Sequence, residues 1–264
     1  MFYEPGKSHH NLPHDPFKAC VIPRPIGWIS TLSPTGTANL APYSQFTNLT
    51  FDPPYVLFSA NRTPSGTQKD TPRNAAATGA FVWNLATWEL REAVNATAEG
   101  LAYGEDEFAR AGLEAEDACV VAAAVECEGG ERASRALPMV KRSPVKFECV
   151  FHSMLQLPGN PPMGSADVVI GRVVGVHVAE WALTDGRLDV AKTAPIARCG
   201  YYQYAVVRET FDMVIPSSGG AEGEDLLAGL EGSVTRHRGI AARDEGGEEN
   251  GEGEKGEGAE RKEA

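Results

Sequence analysis

The chain has 264 residues, 42% of them hydrophobic, and a formal net charge of −12, so it can bury a core but lacks the basic excess that a nucleic-acid surface needs. The acidity is concentrated, since residues 221–264 carry 13 acidic and 6 basic side chains and leave the rest only mildly negative. Five widely spaced cysteines, Cys20, Cys119, Cys127, Cys149 and Cys199, form no C-x-x-C pair, a pattern that fits reduced, buried thiols better than a disulfide framework or a zinc site.

The opening MFYEPGKSHHNLPHD lacks the apolar stretch of a signal peptide, and no segment of the chain is long and apolar enough to span a bilayer. A cytoplasmic protein without membrane partners is expected. Arg24 then sits between two prolines that stiffen the approach to a strand over Gly27–Leu32 (GWISTL), in which Trp28 reads as core and Ser30 and Thr31 add hydroxyls near its end. The turn-rich Ser33–Thr37 predicts a hairpin into Ala38–Tyr43. This second strand ends abruptly in Ala41-Pro42-Tyr43-Ser44. Its backbone N–H and C=O groups lie beside a proline that cannot pair them, an arrangement suited to the edge of a planar heteroaromatic ring and equally to an ordinary edge strand with a turn.

Further strands are expected at Tyr55–Ala60 and Ala80–Leu85. Between them lies Lys69-Asp70-Thr71-Pro72-Arg73-Asn74. Threonine suits an N-cap and proline the first helical position, which predicts a helix over Thr71–Thr78. Such a start leaves free N–H groups and the positive end of a helix dipole beside the Lys69 ammonium, which can hold a phosphate or simply be a capped surface helix with a solvated lysine. Helical periodicity recurs over Trp88–Ala98 and Glu105–Ala111. Long alternating runs over Val145–Leu157 and Asp167–Val178, then Tyr201–Val207, read as strands. His152 and His177 fall on those strands and read as structural histidines, and no metal site is assigned. Many strands with few helices make the chain mainly β, a barrel rather than a doubly wound α/β fold. G-x-G-x-x-G, Walker A, H-E-x-x-H and G-x-S-x-G patterns are all absent. Residues 1–216 are expected to form one domain. Residues 217–264, acidic and rich in glycine and glutamate, are expected to be a disordered tail.

In order, PFKACVIPRPIGWISTLSPTGTANLAPYSQF, DPPYVLFSA, KDTPRN and TGAFVWNLAT, followed by DVVIGRVVGVHV, DGRLD and ARCGYYQY, resemble the flavin reductase-like family of FMN-binding split-barrel proteins, in its flavoredoxin-type branch, over roughly residues 16–208. The resemblance implies a split β-barrel of six antiparallel strands in Greek-key order that forms a homodimer with FMN in a groove near the subunit interface. It places Ser30, Thr31 and the loop Asn39, Ala41, Pro42, Tyr43, Ser44 and Gln45 along the flavin and its ribityl chain. Ser59 then faces the phosphate end, and Lys69, Asp70, Thr71 and Asn74 form the phosphate anchor. The sequence departs from the pattern at Pro64–Gln68, at Gly129–Met139, and at Asp167, where a histidine or another polar residue is expected. The implied activity is NAD(P)H-dependent reduction of the flavin, with NADH or NADPH a transient co-substrate and electrons passed to a second acceptor, a partner protein among the candidates. An FMN-holding electron carrier without nicotinamide reactivity is the alternative. A barrel that has lost FMN and serves as an interaction module is a third reading, against which the intact KDT and NLAPYS stretches argue.

Overall fold

The computed structural model describes residues 1–127, 130–213 and 216. The chain divides into two units, Met1–Thr210 and Phe211–Ala264. The first carries every element below. The acidic tail from residue 217 on, expected to be disordered, lies outside the described residues.

A short helix α1 (Phe17–Cys20) and a two-residue strand β1 (Arg24–Pro25) precede β2 (Gly27–Leu32), β3 (Ala38–Tyr43), β4 (Phe46–Phe51) and β5 (Pro54–Asn61). Helix α2 (Asp70–Thr78) leads into β6 (Ala80–Asn84), and helices α3 (Arg91–Ala96) and α4 (Glu107–Arg110) follow. Two long hairpins come next, β7 (Ala115–Glu126) with β8 (Arg132–Val140), and β9 (Val145–Leu157) with β10 (Ala166–Val178). The described chain closes with β11 (Leu183–Thr184), β12 (Arg187–Leu188), helix α5 (Val190–Thr193), β13 (Ile196–Arg198) and β14 (Tyr204–Val206).

The main sheet runs β3-β2-β6-β9-β10-β5-β4, antiparallel throughout. Its two edge strands, β3 and β4, are separated only by Ser44 and Gln45, and the Ser59 N–H donates to the Gln45 carbonyl at 2.9 Å across that bend. One bent strand therefore closes the sheet on itself. Counted as one, it gives the six strands of a split β-barrel, which leaves the outer side of β3 as an open strand edge.

Aromatic side chains fill the barrel. Phe46 stacks on Trp83 with ring centroids 5.2 Å apart, Trp83 meets Phe147 at 4.5 Å, and Phe58 packs edge-on to Phe81 at 5.4 Å. A second cluster, with Trp28, Leu40, Leu90, Val94 and Phe108, fastens α3 and α4 beneath β2 and β3. Trp28 is core, as its sequence setting predicts, and its indole N–H donates to Thr97 Oγ1 at 2.9 Å. The third lies under the β7–β8 hairpin, where Val121, Ala123 and Val125 alternate inward against Leu32 and Val82.

Several expectations need correction. The α2 helix begins at Asp70 with Lys69 at the N-cap, and Thr71 lies in its first turn with no side chain capping the end. Pro72 is tolerated because the first four N–H groups have no intrahelical partner. Only Tyr204–Val206 of the run 201–207 is strand, since Cys199 and Gln203 close a turn in which Tyr201 has φ 53°. The irregular stretch around 129–139 is the β7–β8 hairpin, apart from residues 128 and 129, which are not described. Only Cys149 is a buried thiol; Cys199 is half-buried, and Cys20, Cys119 and Cys127 are exposed.

Candidate functional site

The backbone N–H groups of β3 alternate between β2 and the strand's outer edge, and at that edge the Leu40 N–H finds Glu107 Oε2 at 3.0 Å instead of a ladder partner. Pro42, two residues on, has no N–H to leave unpaired there, which is why proline is tolerated on this strand. The N-terminus of α2 faces the same edge. Together they bound a groove of about 320 Å³ whose lining includes Asn39, Ala41, Pro42, Tyr43, Lys69, Asp70 and Thr71. The groove therefore gathers the two motifs that the sequence singles out from stretches about thirty residues apart.

A buried hydrogen-bond network holds these elements in register. Asn39 Nδ2 donates to Thr31 Oγ1 at 3.0 Å and to Thr71 Oγ1 at 2.9 Å, and Asn74 Nδ2 donates to Thr31 Oγ1 at 3.2 Å. The Tyr103 hydroxyl completes it on Asn74 Oδ1 at 3.3 Å. Thr31 and Asn74 are thus internal fasteners between β2, β3 and α2, and neither lines the groove. Ser30 is also fully buried, its Oγ donating to the Pro138 carbonyl at 2.6 Å and accepting from Asn84 Nδ2 at 3.2 Å. Ser44, Gln45 and Ser59 lie at the bend between β3 and β4 and on the strand beside it, outside the groove lining.

Sequence reasoning missed one wall entirely. Thr97–Leu101, Tyr103 and Glu107, from the segment after α3 and the start of α4, complete the groove opposite β3. The Asp106 N-cap, whose side chain accepts from the Phe108 and Ala109 N–H groups, marks the start of α4 but says nothing about which way the neighbouring Glu107 points. Thr63, Thr67 and Gln68 supply the other end. There the Thr63, Ser65 and Thr67 hydroxyls form a chain with oxygen spacings of 2.8 and 3.1 Å. Behind that loop Arg62 grips the fully buried Asp167, Nη2 to Oδ1 at 2.9 Å and Nε to Oδ2 at 3.0 Å, so Asp167 is an ion-pair anchor rather than an acid–base group.

The electrostatics are mixed. Burial pushes the Glu107 carboxyl up to about 6, the Leu40 N–H pulls against that rise, and the charges of Asp70 and Asp106 add to it. Burial also raises Asp70, opposed by Arg73. The Tyr43 phenol is raised by burial, against a hydrogen bond to Thr71 that lowers it. The cations are Lys69, exposed on the rim, and Arg73, whose guanidinium lies 4.0 Å from the centre of the Tyr103 ring.

This donor set fits a phosphorylated polyol attached to a flat ring. An uncapped helix start, a lysine and neighbouring hydroxyls suit a phosphate. Buried carboxyls suit hydroxyl donors, and a proline-bearing strand edge gives a flat apolar wall.

Comparison with known proteins bears on the same residues. The family model for the flavin reductase like domain matches residues 19–193, a span that contains the whole groove. The Bacillus subtilis protein YwrF is 33% identical over 199 residues, 75% of this chain and 90% of its own length. The crystal structure of nitrilotriacetate monooxygenase component B from Bacillus cereus superposes with a TM-score of 0.69 at 30% identity, covering 81% of this chain and 98% of that one. Flavoredoxin of Desulfovibrio vulgaris shares the fold with a TM-score of 0.58 at 19% identity, covering 81% and 97% of the two chains.

Proposed function

This chain belongs to the flavin reductase-like family, and from that premise we propose that it is an oxidoreductase that holds FMN in the groove between β3 and α2 and reduces it with NADH or NADPH. The observation that carries the reading is the meeting of the Lys69–Thr71 helix start with the Asn39–Tyr43 strand edge in one groove. Bound FMN supplies the two-electron chemistry, so the chain needs no catalytic triad. Lys69 and the first-turn N–H groups of α2 bind the phosphate. Asp70 and Glu107 accept from ribityl hydroxyls, and Ala41–Tyr43 orient the ring edge. Arg73 stacks on Tyr103 and so supports that lining residue. In this reading Ser44 and Gln45 border the ring side of the groove, and Ser59, whose N–H donates to the Gln45 carbonyl, joins them there instead of facing the phosphate end that the resemblance implies. No Rossmann fingerprint is required if the nicotinamide stacks only briefly on the exposed ring.

A homodimer of two-fold symmetry belongs to this reading. From Val150 onward β9 is exposed on both faces apart from half-buried Phe151, and Leu155 and Leu157 on that strand and Leu49 and Phe51 on β4 expose apolar surface. A second copy would cover that surface and shape the nicotinamide pocket. Among the described residues no helix is long and apolar enough to cross a membrane.

Anaerobic mixing of the FMN-loaded chain with NADH or NADPH tests the reaction. Bleaching of the flavin band by either one is expected. A flavin that stays oxidised with both but is bleached by a chemical reductant would make the protein an electron carrier instead.

A further inference from the structure

Two breaks in strand register meet at one buried carboxylate outside the groove lining. The pairing of β7 with β8 shifts between Asp117 and Ala122, and that of β10 with β9 shifts between Val173 and Gly175. A bulge re-aims the side chains and N–H groups of its strand. Here the N–H groups freed on β7 all go to Glu148 of β9: Cys119 N donates to Oε1 at 2.9 Å, and Val120 N and Val121 N donate to Oε2 at 2.6 and 2.8 Å. On β10, Gly175 pairs with Glu148 and stands two residues before His177, so His177 and Glu148 share a face of the sheet. His177 Nε2 lies 2.6 Å from Oε1 of the fully buried carboxylate. The Cys119 sulfur, a ring nitrogen of His177 and a carboxylate oxygen of Glu148 lie within 4.8 Å of one another.

Hydrogen bonding explains why carboxylate and imidazole meet, but it does not call for a thiol as their third neighbour. Sulfur, imidazole nitrogen and carboxylate oxygen are together the ligand types of a zinc-class ion, whereas magnesium and calcium take oxygen alone. Four-coordinate zinc separates such atoms by about 3.3–3.6 Å, so side-chain movements of about 1 Å close the set. The lone pairs of Glu148, all engaged, do not stand in the way. A carboxylate that accepts three backbone N–H groups is ionised and only accepts, so the hydrogen between Nε2 and Oε1 belongs to the ring. When that proton moves to Nδ1, Nε2 and one lone pair of Oε1 open onto the same position, and an ion can take the proton's place. The three N–H groups remain as outer bonds that fix the ligating carboxylate. Cys119 is exposed and His177 only half-buried, so a hydrated ion can reach the set and keep a water in its fourth position.

We propose that Cys119 of β7, Glu148 of β9 and His177 of β10 form a binding site for one zinc-class divalent cation, which ties the β7–β8 hairpin to the barrel wall. The thiol enters as thiolate and its proton leaves to solvent. This inference is independent of what the groove binds.

The full-length chain is stripped with a chelator, kept reduced with a phosphine and titrated with cobalt(II), a spectroscopic stand-in for zinc. Difference spectra cancel any flavin absorbance. A thiolate-to-cobalt charge-transfer band is expected at micromolar cobalt, saturating at one ion per chain and abolished by an equivalent of zinc. Cys119→Ser should remove the band, and His177→Gln should weaken cobalt binding at least about tenfold, with circular dichroism confirming that both variants fold. Cys20→Ser and Cys127→Ser, at exposed cysteines outside the cluster, should leave the band unchanged. The absence of a thiolate band even at millimolar cobalt would overturn the proposal without any variant. A band that survives Cys119→Ser, or a cobalt affinity indifferent to His177→Gln in a folded protein, would overturn it as well.

Discussion

Lys69 and Thr71 stand two residues apart and should behave differently when changed. Lys69 is exposed, so Lys69→Ala should leave the melting temperature unchanged while weakening FMN binding about tenfold, the value of one charge-assisted contact of roughly 1.5 kcal/mol. Thr71 is buried and accepts from Asn39, so Thr71→Val should destabilise the fold by about 1–3 kcal/mol through an unsatisfied donor, measured by urea unfolding. Glu107 adds a pH dependence. Its carboxyl binds a proton near pH 6 in the folded chain against a reference value of 4.5, so burial of the charge costs stability above pH 6 and that cost vanishes below 4.5. Glu107→Gln should therefore raise stability at pH 8, on the order of 1 kcal/mol after solvent screening, and leave it nearly unchanged at pH 4.5. Equal gains at the two pH values would show that the carboxyl is not titrating as described. Asn39–Tyr43 and Lys69–Thr71 were legible in the sequence because each is a local pattern with its own chemistry. Glu107 was not, because its role depends on a hydrogen bond to Leu40, 67 residues away.

Strands were legible where side chains are large. GWISTL, AFVWNL and the β9 and β10 runs each carry several aromatic or β-branched residues, and the structure puts strands there. The β7 strand was missed because its inward positions include Ala123 between Val121 and Val125, so alternation is faint in AEDACVVAAAVE. Its partner β8 was masked by Pro138, whose carbonyl nevertheless receives the Ser30 hydroxyl. The β4 strand was missed because it follows β3 after only two residues, and no turn signal separates a bend from a loop. Glycine decides packing on β10, where a Cβ at Gly171 would lie 2.4 Å from two ring atoms of the fully buried Phe81. Gly171→Ala should cost about 1–3 kcal/mol in denaturant unfolding, with Phe81→Leu in the same chain recovering part of it. A neutral Gly171→Ala would mean the barrel wall there is looser than the structure has it.

Composition separated the acidic end from the barrel at the scale of the whole molecule. Removing residues 217–264 should leave FMN content and melting temperature nearly unchanged, because a segment so poor in aromatic and β-branched residues has little apolar surface to bury. A large fall in melting temperature would show that those residues pack against something. Neither the groove's far wall nor the exposed end of the β9–β10 hairpin could be read from local pattern, since both depend on how distant segments meet.

The central claim is that the groove between β3 and α2 takes FMN by its phosphate. It is tested most directly by titrating the purified full-length chain with FMN and with riboflavin and following the quenching of flavin fluorescence. We predict saturation at about one FMN per chain, with riboflavin bound at least about tenfold more weakly because it lacks the group that Lys69 and the α2 N-terminus hold. No uptake of FMN, or equal affinity for the two flavins, would contradict the account.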